Sequence, residues 1–133
     1  TVHEKGLSVW LYNLEDPRDE MARRIVAAGQ HHGIRPGDVA GRLYVDTGRK
    51  RELCTAIQTR NGAQIVRPAV QAIERQIRQR KIDVLVIDPF VSSHQVSEND
   101  NGAIDLVAKE WARVAEPLQL RNRTCSPHAQ VKR

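Results

Sequence analysis

The stretch from Pro68 to Asp88 constrains the fold more than any other part of the chain. Its first part, Pro68–Lys81, places Val70, Ile73 and Ile77 on one face and Arg75, Arg78, Gln79 and Arg80 on the other. That spacing predicts an amphipathic helix. Its second part, Asp83–Asp88 (DVLVID), is a continuous apolar run bounded by acids, which predicts a strand covered on both faces. A crossover helix running directly into such a strand is the unit from which parallel sheets are built, because parallel neighbours cannot be joined by a tight turn.

The remaining segments repeat the unit. Ser8–Leu14 (SVWLYNL) mixes β-branched, aromatic and aliphatic residues as a buried strand does. Pro17 then opens a helix, with Asp16 as its expected N-cap, Met21, Ile25 and Ala28 at helical spacing, and Gly33 as the stop. Arg42–Asp46 (RLYVD) reads as a second strand, and Thr47–Gly62 as a loop with room for one short strand. A polar loop, Pro89–Asn101, leads to a last helix over Gly102–Ala115, where Ile104, Val107, Ala108, Trp111 and Val114 form a stripe. The expected class is therefore α/β, a mainly parallel sheet flanked by helices.

Composition narrows the function classes. The chain has 133 residues, enough for one domain with a real core. No apolar run approaches the roughly 20 residues of a membrane span. Cys54 and Cys125 lie far apart in sequence, which argues against a disulfide framework or a zinc ligand pair, and a cytoplasmic setting is expected. The net charge of +5 is placed unevenly. Pro117–Arg133 carries Arg121, Arg123, Lys132 and Arg133 and no acid, and without those four the 21 basic residues fall to 17 against 16 acids. Basicity belongs to the tail, which shows no sustained period and is expected to lack regular structure. A DNA-binding role for that tail ranks last among the readings, since the body is nearly neutral.

Three groups of residues carry chemistry. Asp88 ends the apolar strand, and an acid at the carboxyl end of a parallel strand faces the crevice where α/β sheets bind ligands. There it suits a magnesium ion beside nucleotide phosphates, or else simply caps a turn. Glu15 and Asp16 end the first strand; a carboxylate there polarises a water attacking a terminal phosphate, while capping of the next helix is the plainer role for Asp16. The loop after Asp88 holds Ser92, Ser93, His94, Ser97, Glu98, Asn99, Asp100 and Asn101, suited to sensing a phosphate or a neighbouring subunit. Asn99–Asn101 also suit a helix cap. No Gly-x-Ser-x-Gly elbow surrounds Ser92 or Ser93, which argues against a hydrolase triad with His94. His31 and His32 suit a helix C-terminus rather than a metal.

Taken together, WLYNLEDP (Trp10–Pro17), GRLYVDTG (Gly41–Gly48), KIDVLVIDPFVSSHQVSENDN (Lys81–Asn101) and AIDLVAKEWARVA (Ala103–Ala115) resemble the RepA-like branch of RecA-type hexameric helicase ATPases, over about Ser8 to Glu116. The resemblance implies a partial RecA-like P-loop NTPase core. It matches Glu15 to the acid that activates the attacking water, Asp16 to its neighbour in the same motif, and Asp88 to the Walker B magnesium acid. Ser92, Ser93, His94, Glu98 and Asn99 fall in the loop facing nucleotide or an adjacent protomer. ATP and magnesium are the implied cofactors, and a hexameric ring on single-stranded DNA the implied assembly.

Two departures qualify this. No Gly-x-x-x-x-Gly-Lys-[Ser/Thr] loop occurs in the sequence, and without its amides and lysine tight ATP binding is expected to fail. After Glu116 the resemblance stops. The chain then divides into a partial core, 1–116, and a non-family basic tail, 117–133, for which a reading-frame shift is one hypothesis. One permitted set of codons for that stretch, read one base later, spells a peptide ending Leu-Val-His-His-Thr-Arg-Lys, the continuation such proteins carry. The parent activity is ATP hydrolysis coupled to DNA unwinding, with little or none expected of this polypeptide. The alternative is a non-catalytic fragment that binds intact ring ATPases. Missing strands would leave sheet edges and apolar surface exposed.

Overall fold

The computed structural model describes residues 6–48 and 53–124, with side chains through residue 118. Its elements run β1 (Val9–Asn13), α1 (Arg18–His32), α2 (Pro36–Val39), β2 (Leu43–Thr47), β3 (Ala56–Thr59), β4 (Gly62–Ile65), α3 (Arg67–Arg80), β5 (Val84–Asp88), a 3-10 turn (Phe90–Ser93) and α4 (Asn101–Thr124). β1 lies between β2 and β5, parallel to both, so the main sheet has the order β2-β1-β5. The protein is α/β with a parallel three-stranded sheet flanked by helices, as in a partial RecA-like core.

Alternation along β1 explains the main core. Trp10 and Tyr12 point to one face and are joined there by Leu85 and Ile87 of β5 and Tyr44 of β2. The stripe of α3 (Val70, Ile73, Ile77) and the far end of α4 (Trp111, Val114, Leu118) cover that face. Arg80 lies over the rings of Trp10 and Tyr44, 5.2 and 4.9 Å from their centroids, and pairs with Asp46, which also accepts the Trp10 indole N–H at 2.9 Å. α1 ends at Gly33, whose φ of 65° is a left-handed conformation that glycine adopts without a Cβ penalty.

Four expectations need correction. The loop expected over Thr47–Gly62 contains β3, which continues through a tight turn into β4, an antiparallel hairpin. Its apolar pattern is too short to announce two strands; a second cluster holds it in place, in which Ala56, Val96, Ala103 and Val107 are all buried. β5 is not covered on both faces. Val86 is 39% exposed, and among the described residues β5 pairs along one edge only. Asp16 does not cap α1; its carboxylate is taken by Arg24 at 2.6 Å and by Asn13. Finally, Pro117–Thr124 is helical, a direct continuation of α4. Leu118 follows Val107, Trp111 and Val114 at helical spacing, and burying it offsets the hydrogen bond lost at Pro117. Residues 125–133 of the expected tail lie outside the described residues. No helix among those described is long and apolar enough to cross a membrane.

An ion-pair network ties α3 to α4. The Glu110 carboxylate, its side chain only 10% exposed, accepts Arg67 and Arg113 at 2.7 Å each, and Arg113 also reaches Glu74 at 3.0 Å. The hydrogen bond and charge of Arg113, with Arg67 behind it, hold the Glu110 carboxyl below the ordinary value of 4.5 against the opposing effect of desolvation. Because the folded pKa is the lower one, this stabilisation is complete above 4.5 and fades as pH falls through the folded value. Glu110→Gln should therefore flatten the acid limb of a plot of Tm against pH. Superimposable acid limbs for the two proteins would show that the network contributes nothing to stability.

Candidate functional site

The site forms where the three parallel strands end. Their register sets Asn13 of β1 opposite both Thr47 of β2 and Asp88 of β5. Beyond the last rung the pairing continues: Leu14 N–H donates to the Asp88 carbonyl at 2.8 Å, and Gly48 N–H donates to the Asn13 carbonyl at 2.8 Å. Gly48 permits this approach, since a Cβ there would lie 3.0 Å from both the Cα and the carbonyl oxygen of Leu14. The turn that carries Glu15 is thus held from both flanking strands, and the Glu15 and Asp88 residues emerge from adjacent strands at the same edge.

The acids differ in their surroundings. Glu15 and Asp88 are exposed, and neither side chain has a hydrogen-bond or ion-pair partner among the described residues. Asp16 is half-buried and committed, through one carboxylate oxygen, to Arg24 and Asn13. Asn13, only 3% exposed, is the residue that sequence reasoning passed over. Its side-chain oxygen accepts the backbone N–H groups of Glu15 at 3.0 Å and Asp16 at 2.6 Å, an Asx turn. Its signal was legible, an asparagine followed two and three residues later by Glu-Asp and then Pro, but only burial shows how completely its amide is used.

The loop after Asp88 separates into two parts. Ser93 is fully buried: its hydroxyl donates to the Phe90 carbonyl at 2.6 Å, and its own carbonyl accepts both the N–H and the hydroxyl of Thr55 at 2.8 Å. Gln95 is bridged to Ile57, with Gln95 N–H donating to the Ala56 carbonyl at 2.8 Å, so the loop is stitched onto β3. His94 is buried as well; its Nδ1 accepts the Val96 N–H at 3.4 Å, its ring packs in a T-shaped contact with Phe90, and its Nε2 has no hydrogen-bond partner among the described residues. Ser92, Glu98 and Asn99 are exposed. Asp100, at the start of α4, accepts the Ala103 N–H at 3.0 Å and is its cap. Of the five loop residues picked from sequence, Ser93 and His94 are turned into the fold and the other three face outward.

No group of three or more His, Cys, Asp or Glu side chains suited to a metal occurs among the described residues. Magnesium commonly keeps most of its water and takes one or two carboxylates plus phosphate oxygens, so such a group is not required for it. Asp88 has the right hardness, charge and position for that single contact.

A parallel sheet flanked by helices, with exposed acids at the ends of adjacent strands, is an arrangement that α/β domains use to bind ligands. The chain belongs to a family described as AAA domain, whose model matches residues 1–121. The match thus runs past Glu116 into the continuation of α4. No curated protein and no solved structure matches the chain significantly.

Proposed function

We propose that this chain carries the metal-and-water half of a magnesium–ATP site, in an ATPase of the RecA-like helicase kind. The observation that carries the reading is the register of Asn13 with Asp88, which brings Glu15 and Asp88 out on neighbouring strands with no competing partner among the described residues. Asp88 would hold magnesium, which supplies neutralisation of phosphate charge. Glu15 accepts a hydrogen bond from the attacking water and draws off its proton. Asp16 stays in the scaffold. A phosphate-binding loop, absent from these 133 residues, is needed to complete the site. By resemblance the complete assembly is a hexameric ring that couples hydrolysis to movement along single-stranded DNA.

Calorimetry with magnesium and ATP tests this. The expected Kd is about 1 mM or weaker, since the phosphate-holding amides and lysine are missing. Asp88→Ala should weaken magnesium-dependent binding by about tenfold or more, a loss of roughly 1.4 kcal/mol. Glu15→Gln should leave binding unchanged, because the role assigned to Glu15 begins at the water. Equal binding by wild type and Asp88→Ala rules the assignment out.

A second reading, a non-catalytic fragment that docks on intact ring ATPases, is favoured by a different observation. Among the described residues β5 pairs along one edge only, and Val86 in it and Phe90 and Val91 after it are exposed; an unpaired strand edge is of the kind that accepts another strand. Absence of any magnesium–ATP binding in the same titration would favour it.

A further inference from the structure

We propose that Asn13 is the positioning residue of this site: its carboxamide fixes the direction of Glu15 and commits Asp16 to the scaffold, so that one of two adjacent acids is presented beside Asp88. The proposal rests on the reading of Glu15 and Asp88 given above.

Two backbone donors, the N–H groups of Glu15 and Asp16, converge on one side-chain atom of Asn13 at 3.0 and 2.6 Å. That atom must be the oxygen, and the Nδ2 group is then left to donate to the Asp16 carboxylate at 3.1 Å. The side chain is therefore used as acceptor and donor at once. Alanine would supply neither function. Aspartate would keep the acceptor but place a second carboxylate against Asp16, and serine is too short to serve both N–H groups. Asparagine alone among side chains of this length satisfies all three contacts, and Asn13 itself is only 3% exposed, so water does not replace them.

The consequence falls on the two acids. Asp16 Oδ2 receives both Asn13 and Arg24, the latter at 2.6 Å, and so is drawn back toward α1. With the N–H groups of residues 15 and 16 pinned to one point, the Glu15 backbone has little freedom. Its side chain is exposed. The flanking contacts to Asp88 and Gly48 hold Leu14 and Asn13 by their backbones, which leaves the Asn13 side chain as the element that sets the next two residues.

Amide exchange and paramagnetic relaxation by NMR test the proposal, with manganous ion alone as the probe of the Asp88 position. In the wild type the Glu15 and Asp16 amides should exchange slowly, and manganese should relax signals of Asp88 and Glu15 together. Asn13→Ala should speed exchange at those two amides by about tenfold or more. It should also weaken relaxation at Glu15 while leaving Asp88 unchanged. Asn13→Asp should recover most of the amide protection, because the acceptor is kept; a role in packing alone would make the two variants alike. Should Asn13→Ala fail to fold, Asn13→Ser, which keeps one acceptor, takes its place. Wild-type exchange and Glu15 relaxation in Asn13→Ala, or no recovery in Asn13→Asp, overturns the proposal. If manganese fails to relax Asp88 even in the wild type, the magnesium reading falls, and amide exchange alone then decides the role of Asn13.

Discussion

Leu118→Ala should lower the free energy of unfolding by about 2–3 kcal/mol, the lower part of the range for a leucine removed from a core. Leu118 is 6% exposed and packs with Val114, Ile82 and Trp10 in the cluster beneath the main sheet. The lower part of the range applies because Leu118 also lines a groove of about 380 Å³ with Phe90, Trp111 and Val114. A wall that already borders open space loses fewer contacts, and the new void is continuous with solvent. Urea unfolding followed by far-ultraviolet circular dichroism measures the change. A loss below about 0.5 kcal/mol, the scale of ordinary surface substitutions, would mean that α4 beyond Pro117 is not docked. The result bears directly on where the domain ends, because the part of α4 after Glu116 has no acidic residue and reads by composition as a tail.

Val107→Asp should cost more, about 4 kcal/mol or above, and abolish cooperative folding of the hairpin region at moderate temperature. Val107 is 1% exposed and sits against Ala56, which is fully buried, with Val96 and Ala103 completing the cluster. A carboxylate placed there finds no cation in that apolar cluster, so it must either be protonated or open the contact between α4 and the hairpin. Opening would also release the loop stitched to β3 through Ser93 and Gln95, and with it the chain that follows Asp88. Amide exchange should therefore rise first at residues 55–65 and 93–96. If protection there matches the wild type, the second cluster is not what holds the hairpin.

The elements that periodicity makes visible are those whose burial is set within a few residues. α3 was legible because Val70, Ile73 and Ile77 repeat on one face, and the observed helix, Arg67–Arg80, is displaced from the expected one by a single residue. β1, β2 and β5 were legible for the same reason, each within one residue of its expected ends. The hairpin was not, because Ala56–Thr59 and Gly62–Ile65 are four residues each and hold only one large apolar side chain apiece, and what buries Ala56 includes α4 residues more than forty positions away. The C-terminal end of α4 was hidden by Pro117, a residue that usually ends a helix, and the buried contacts of Leu118 override that preference.

The same division runs through the site. Sequence alone determined that acids stand at the ends of two apolar strands, at Glu15, Asp16 and Asp88, because strand ends and turn residues are local properties. Only the tertiary structure decided that these strands are neighbours in register, since pairing brings together residues 75 positions apart. It also decided which acid is free. Glu15 and Asp16 are adjacent and chemically alike, but Asn13 and Arg24 draw on Asp16 alone, and hydrogen bonds set by the three-dimensional path of the chain separate their roles. Ser93 and His94, polar and placed in a loop, read as surface residues in sequence. They are buried where the chain is bonded to the hairpin, the Ser93 carbonyl accepting the Thr55 N–H and Gln95 exchanging backbone hydrogen bonds with Ala56 and Gln58 of β3.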